Sequence, residues 1–168
     1  MTLKRRHLMS AMRAACSIAL FAAGVSGVAL AGDDRDQEDT TLVGTWRESI
    51  MFPGVPIEFF DLIAFTEDGT VNERFGSLVD GPSLSESIGV WKKVGRGTFA
   101  VTMENFSDND HDGRFDVRFR LRATYHVIDR NSLTATVTGD TLSVDGTTQV
   151  GPSFTATIQS TRMRVMPE

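Results

Sequence analysis

The chain lacks cysteine almost entirely: its 168 residues include only Cys16, near the N-terminus. A disulfide, a catalytic thiolate and a cysteine-ligated metal are therefore excluded for the rest of the chain. Histidine is nearly as scarce, with three residues. His111 falls in a predicted turn and His126 on a predicted solvent face, so a three-histidine zinc site is excluded as well.

Basic residues are also outnumbered, since the chain has 17 Lys and Arg residues and 22 Asp and Glu residues. Four of the basic residues stand in the first 31 positions, which contain no acid, and without this segment the net charge falls from −5 to −9. A chain with this negative charge is poorly suited to binding a nucleic-acid backbone or an anionic membrane, because both are negatively charged. We therefore expect no nucleic-acid partner.

No apolar run is long enough to cross a bilayer. The longest, residues 14–30, follows a basic head and ends in Ala29-Leu30-Ala31, the small-x-small pattern that precedes signal-peptide cleavage. We predict a bacterial-style signal peptide over residues 1–31, a secreted or periplasmic location and no stable membrane insertion after cleavage. Residues 32–40 hold five acids in nine positions and predict a solvated tether. The folded domain is then 41–168, and its oligomeric state is left open.

Alternation of apolar and polar residues runs through this domain. In residues 114–129, seven apolar side chains from Phe115 to Val127 occupy every second position, which predicts a long half-buried strand and excludes an amphipathic helix. Weaker copies predict seven more strands, at residues 42–51, 57–66, 70–76, 87–93, 98–106, 133–144 and 154–165. Turn sequences such as Glu67-Asp68-Gly69-Thr70 separate them.

About eight strands joined by tight turns predict an all-β fold, a single up-and-down antiparallel β-barrel whose closure hides the sheet edges. An outer-membrane barrel also alternates in this way. The absence of a C-terminal aromatic residue and the total of three Tyr and Trp residues argue against that alternative.

Two Gly-x-Trp triplets, Gly44-Thr45-Trp46 and Gly89-Val90-Trp91, fall in predicted strands. A Gly-x-Trp at the start of the first strand of a small exported barrel resembles the lipocalins and, more broadly, the calycins. In that family the Trp closes one end of the barrel under an Arg from the last strand, which the resemblance assigns to Trp46 and Arg162, with Arg164 as second choice. The middle lipocalin motif, the C-terminal helix and the disulfide are absent from this sequence.

The resemblance implies a container for a small molecule, so we predict binding of a small apolar or amphipathic ligand, with no catalysis and no cofactor. Alternation places Glu48 on the face of Trp46, and Asp61 on the face of Ile63. A carboxylate inside an apolar barrel has a raised pKa, so the alternative is a cyclase or isomerase with Glu48 or Asp61 as acid or base. The predicted lining residues are Glu48, Asp61, Phe65, Phe99, Val101, Phe119, Leu121 and Tyr125.

One segment, residues 108–113, reads Asp-Asn-Asp-His-Asp-Gly and matches the first half of a calcium-loop template. Phe119 stands where the closing Glu belongs, so any calcium site there is weak. The same composition also fits an ordinary polar turn. The predicted metal ligands are Asp108, Asp110, Asp112 and Asp116.

A row of arginines, Arg118, Arg120 and Arg122, lies on the polar face of the longest predicted strand. Such a row fits an anion-binding stripe. We favour a solvated face whose charges pair across strands with acids such as Glu104.

Overall fold

The structure is a computed structural model that describes residues 41–55, 58–76 and 83–165. The predicted signal peptide and tether, residues 1–40, lie outside these residues. The described chain contains nine strands and no helix, hence no helix that could span a membrane. The strands are β1 (Gly44–Met51), β2 (Glu58–Phe65), β3 (Thr70–Phe75), β4 (Ser83–Leu84), β5 (Ser87–Gly95), β6 (Thr98–Asp108), β7 (Val117–Asp129), β8 (Ser132–Leu142) and β9 (Phe154–Arg162).

Eight of the nine strands close into an antiparallel barrel. Their order around the barrel is β1-β2-β3-β5-β6-β7-β8-β9, and β9 pairs back onto β1 from Trp46↔Arg162 to Met51↔Thr157. This confirms the predicted all-β, up-and-down barrel of eight strands. The remaining strand, β4, pairs with the end of β6 at Ser83↔Asp108 and Leu84↔Ser107. It was not predicted because two residues are too few to show alternation.

The strand predicted from residue 114 begins three residues later, at Val117. Phe115 was expected on the buried face, but this was wrong: the side chain is 49% exposed in the β6–β7 connection. Its ring stacks on the outward-facing Phe106 with 5.2 Å between centroids. The sequence alternation therefore continues past the end of the strand, because Phe115 packs on Phe106 outside the barrel and not in the core.

The outer wall carries the arginine row, and its charges pair as expected. Arg118 and Arg120 both contact Glu104 on β6, and Arg122 lies 2.6 Å from Asp140 on β8. Because these side chains are partly exposed, water screens their charges and the pairs add little to stability.

Inward-facing residues fill the barrel from one end. At this closed end Leu42, Trp46, Ile63 and Val71 have no accessible surface, so no water-sized space adjoins them. The opposite end, which we call the mouth, is where β1, β3, β6 and β8 finish. The site described next lies between the two.

Candidate functional site

The closed end is covered by Arg162. Its guanidinium carbon lies 4.0 Å from the centroid of the Trp46 ring, a cation–π distance. The three guanidinium nitrogens donate to carbonyl oxygens of Thr41, Val43 and Arg130, at 2.8, 2.6 and 2.7 Å. Trp46 Nε1 donates to the Leu42 carbonyl at 2.9 Å. The segment before β1 and the turn before β8 are thus tied over the tryptophan.

A belt of buried polar side chains crosses the barrel next to this apolar layer. It takes one inward-facing residue from each of six neighbouring strands: Ser160 on β9, Glu48 on β1, Asp61 on β2, Glu73 on β3, Ser87 on β5 and Asn105 on β6. The strand register brings them together. Glu48 stands opposite Ser160 on one side and Asp61 on the other, and Glu73 stands opposite Ser87.

The carboxyl groups of Glu48, Asp61 and Glu73 form the acid cluster at the centre of this belt. One oxygen from each lies within 4.8 Å of the others, and the three side chains are 0%, 3% and 4% exposed. No basic residue is buried in the described ranges to balance them. Three bare negative charges in this environment would be strongly unfavourable, so the cluster must hold protons or a cation.

Glu48 is the best-bonded member of the acid cluster. It accepts hydrogen bonds from Tyr125 Oη, which reaches across the barrel from β7, at 3.0 Å and from Ser160 Oγ at 2.7 Å. Burial raises the pKa of Glu48 from 4.5 to about 8, against the lowering effect of these bonds, and the charge of Glu73 adds to the rise. Burial also holds the pKa of Tyr125 well above its ordinary value.

Asp61 differs because neither of its oxygens accepts a hydrogen bond within the described chain. Two ionised carboxylates cannot form a hydrogen bond with each other, because neither has a donor. A protonated Asp61 has an O–H group that donates to Glu73. Burial, this bond and the charges of Glu73 and Glu48 raise the pKa of Asp61 from 3.8 to about 10. Without a cation, Asp61 is therefore a neutral proton donor at pH 7.

Glu73 is held from the other side of the cluster. Ser87 Oγ donates to its carboxylate at 2.5 Å, and Asn105 Nδ2 donates to Ser87 Oγ at 2.9 Å. The remaining polar atom of this chain of bonds, Asn105 Oδ1, is buried and has no partner among the described residues. The belt thus contains unsatisfied acceptors at both Asp61 and Asn105.

Five half-buried phenylalanines form an arc across the mouth, above the polar belt. The next inward positions after Asp61 and Glu73 on their strands are Phe59 and Phe75, whose ring centroids are 6.2 Å apart. Further contacts of 5.4, 5.8 and 6.1 Å continue the arc through three more rings. The arc consists of Phe75, Phe59, Phe52, Phe154 and Phe119.

The structure divides the predicted lining residues between the two ends. Four pack in the closed half, at 0–3% exposure: Phe65, Phe99, Val101 and Tyr125. Phe119 and Leu121 are half-buried and lie towards the mouth on β7. Glu48 and Asp61 belong to the acid cluster between them. Ligand binding by these residues stays a prediction.

Sequence reasoning missed Glu73, Ser87, Asn105 and Ser160. A signal for Glu73 was present, because Val71, Glu73 and Phe75 alternate with polar residues exactly as buried positions do. Ser87, Asn105 and Ser160 also lie on the buried faces of their strands. Because they are polar, the sequence pattern does not mark them as inward-facing.

The predicted calcium ligands lie at the end of β6, in the case of Asp108, and in the β6–β7 connection, away from the acid cluster. Oxygens of Asp108, Asp110 and Asp112 come within 4.8 Å of one another, and Asp116 is outside this group. Backbone N–H groups of the same loop donate to all four carboxylates, among them His111 to Asp108 at 2.7 Å. These bonds explain the aspartates as turn-forming residues. Calcium binding by this loop stays a prediction.

An exposed apolar strip lies on the outer wall. Phe60 and Leu62 on β2 are 55% and 43% exposed and border an open groove of about 400 Å³ between Arg47 and Arg74. The groove also borders Asp61 of the acid cluster and Phe75 of the phenylalanine arc.

Comparison of the chain with protein-family models, with curated proteins and with solved structures finds no match. The site must therefore be interpreted from its own geometry.

Proposed function

We propose that this chain is an exported, lipocalin-like barrel that binds a small apolar or amphipathic molecule at its mouth, without catalysis. The observation that carries the proposal is the phenylalanine arc. Five neighbouring aromatic side chains remain half-buried at one end of a barrel whose other end is filled, and ligand sites are typically lined by such aromatic side chains with a few polar groups among them.

The position of the arc suggests the polarity of the ligand. The polar belt lies directly behind Phe59 and Phe75, and one of its members, Asn105, stands opposite Phe119. An amphipathic molecule would lay its apolar part on the rings and direct a hydrogen-bonding group inward. The lipocalin-like assignment rests on the eight-stranded barrel and the contact between Trp46 and Arg162.

The test uses neighbouring residues on opposite faces of β2. A neutral, environment-sensitive dye such as N-phenyl-1-naphthylamine should gain fluorescence on binding the purified protein, with saturation. Phe59→Ala should weaken this binding about tenfold, the loss expected when one aromatic contact of about 1.4 kcal/mol is removed. Phe60→Ala, its matched control on the outer wall, should leave the affinity unchanged.

The opposite result would contradict the proposal. If Phe60→Ala abolishes dye binding and Phe59→Ala does not, the outer strip is the binding surface. Native mass spectrometry of protein from its own host provides a second check, since a bound small molecule should survive gentle purification.

The acid cluster favours a second candidate, an isomerase or cyclase. The raised pKa keeps Asp61 protonated at neutral pH, as a general acid requires. In this case the molecule identified by native mass spectrometry should be converted on incubation with the protein, and Asp61→Asn should abolish the conversion. Unchanged ligand after prolonged incubation would leave binding as the function.

A further inference from the structure

The acid cluster places three hard oxygen donors around one point. Oxygens of Glu48, Asp61 and Glu73 lie within 4.8 Å of one another, so all three can bind one calcium ion, whose metal–oxygen distances of about 2.3–2.6 Å put even opposite ligand oxygens about 4.6–5.2 Å apart. Magnesium, with metal–oxygen distances of about 2.0–2.1 Å, is compatible with the same spacing, but it usually retains several waters. Glu48 has no accessible surface, so the centre has little room for such waters.

The unpaired acceptors provide an independent indication. Asp61 is 3% exposed and both of its oxygens lack a hydrogen-bond partner within the described residues. A shared proton would satisfy only one of them, whereas a bound cation satisfies both. Asn105, joined to Glu73 through Ser87, has a second unpaired oxygen in the same belt. Buried acceptors without partners are rare in folded proteins and require a cause.

We propose that Glu48, Asp61 and Glu73 bind one divalent cation, calcium, at the centre of the barrel. Their carboxylates supply up to six oxygens, within the range that calcium takes, and no sulfur or imidazole ligand completes the cluster in the described chain. The ion would replace protons in neutralising the interior. This site is distinct from the aspartate loop between β6 and β7 and from the ligand proposed for the mouth.

Metal analysis and thermal unfolding test the site together. Because the acid cluster is buried, the purified protein is unfolded with chelator and refolded with or without calcium chloride before excess ion is removed. We expect about one calcium per chain after this removal, and a rise in Tm of about 5–10 °C when calcium is added again to a hundredfold excess over Kd. No bound calcium and no rise in Tm would overturn the proposal.

Matched variants separate the cluster from the loop. Asp61→Asn should remove both the bound calcium and the rise in Tm, whereas Asp110→Asn, in the exposed loop, should keep both. Retention in Asp61→Asn with loss in Asp110→Asn would assign calcium to the loop and overturn the proposal. A magnesium-induced rise as large as that with calcium would overturn the choice of ion.

A second cluster variant guards against misfolding. If circular dichroism shows that Asp61→Asn does not fold, Glu73→Gln takes its place, because its amide oxygen can still accept the bond from Ser87. Loss of the bound calcium in a folded Glu73→Gln protein supports the site, and its retention contradicts it.

Discussion

A Cβ added at Gly44 would collide with Nη1 of Arg162, and the backbone there has a φ of 133°. Both facts require glycine, since other residues rarely adopt this conformation. The space is used by the guanidinium that covers Trp46 and donates to three carbonyl groups. The first triplet, Gly44-Thr45-Trp46, thus has one physical explanation: the glycine makes room for the arginine, and the arginine covers the tryptophan.

Gly44→Ala should therefore destabilise the domain through Arg162. We expect the free energy of unfolding in urea to fall by about 2–3 kcal/mol, from backbone strain and the lost contacts. Arg162→Ala should give a similar loss. The double variant should lose clearly less than the sum of the two, because both remove the same contact. Additive losses would contradict this coupling.

At the scale of strands, packing also accounts for Gly139 on β8. A Cβ there would overlap the ring of Phe154, its cross-strand partner on β9. This is how one aromatic ring of the phenylalanine arc fits inside the barrel. The arc therefore crosses β8 without a side chain from that strand.

Gly139→Ala should push Phe154 out of the arc and lower stability by about 1–3 kcal/mol, as overpacking does. Gly95→Ala is the matched control, because its Cβ would meet Thr98 Cβ at an ordinary 3.6 Å. Thermal unfolding of both variants measures the difference, and Phe154→Leu should relieve part of the Gly139→Ala effect. Equal Tm values for the two glycine variants would refute the packing argument.

The strands and their faces were largely predictable, because period-two alternation is a property of each strand alone. The alternation placed Glu48 and Asp61 inside the barrel correctly. The acid cluster could not be predicted as a unit, since it depends on hydrogen-bond register: Glu48 meets Asp61 only because β1 and β2 pair as they do. A slip of one residue would place these side chains on opposite faces of the sheet.

At the scale of the whole molecule, the buried acids give the barrel an unusual dependence on pH. Asp61 and Glu48 have folded-state pKa values above their ordinary ones, about 10 against 3.8 and about 8 against 4.5. The folded state therefore keeps protons that the unfolded chain has released. This contribution to stability is complete below about pH 4 and is lost as the pH rises through the folded-state pKa values.

In the presence of chelator, the free energy of unfolding should fall as the pH rises from 5 to 9. Each retained proton contributes a slope of about 1.4 kcal/mol per pH unit, so the fall should be steepest below pH 8 and shallower above it, where Glu48 has lost its proton and Asp61 still keeps its own. The exposed carboxylates with lowered pKa values, Asp68, Asp140 and Asp145, act only at lower pH.

Urea unfolding at several pH values measures this slope, and Asp61→Asn isolates its source. The amide keeps the shape of the side chain but cannot release a proton, so the variant should lose the part of the slope that extends above pH 8. Asp110→Asn, at an exposed position, should follow the unaltered protein throughout. If stability rises or stays level between pH 5 and 9, the acid cluster is ionised in the folded barrel, and three buried negative charges would then need a bound cation even with chelator present.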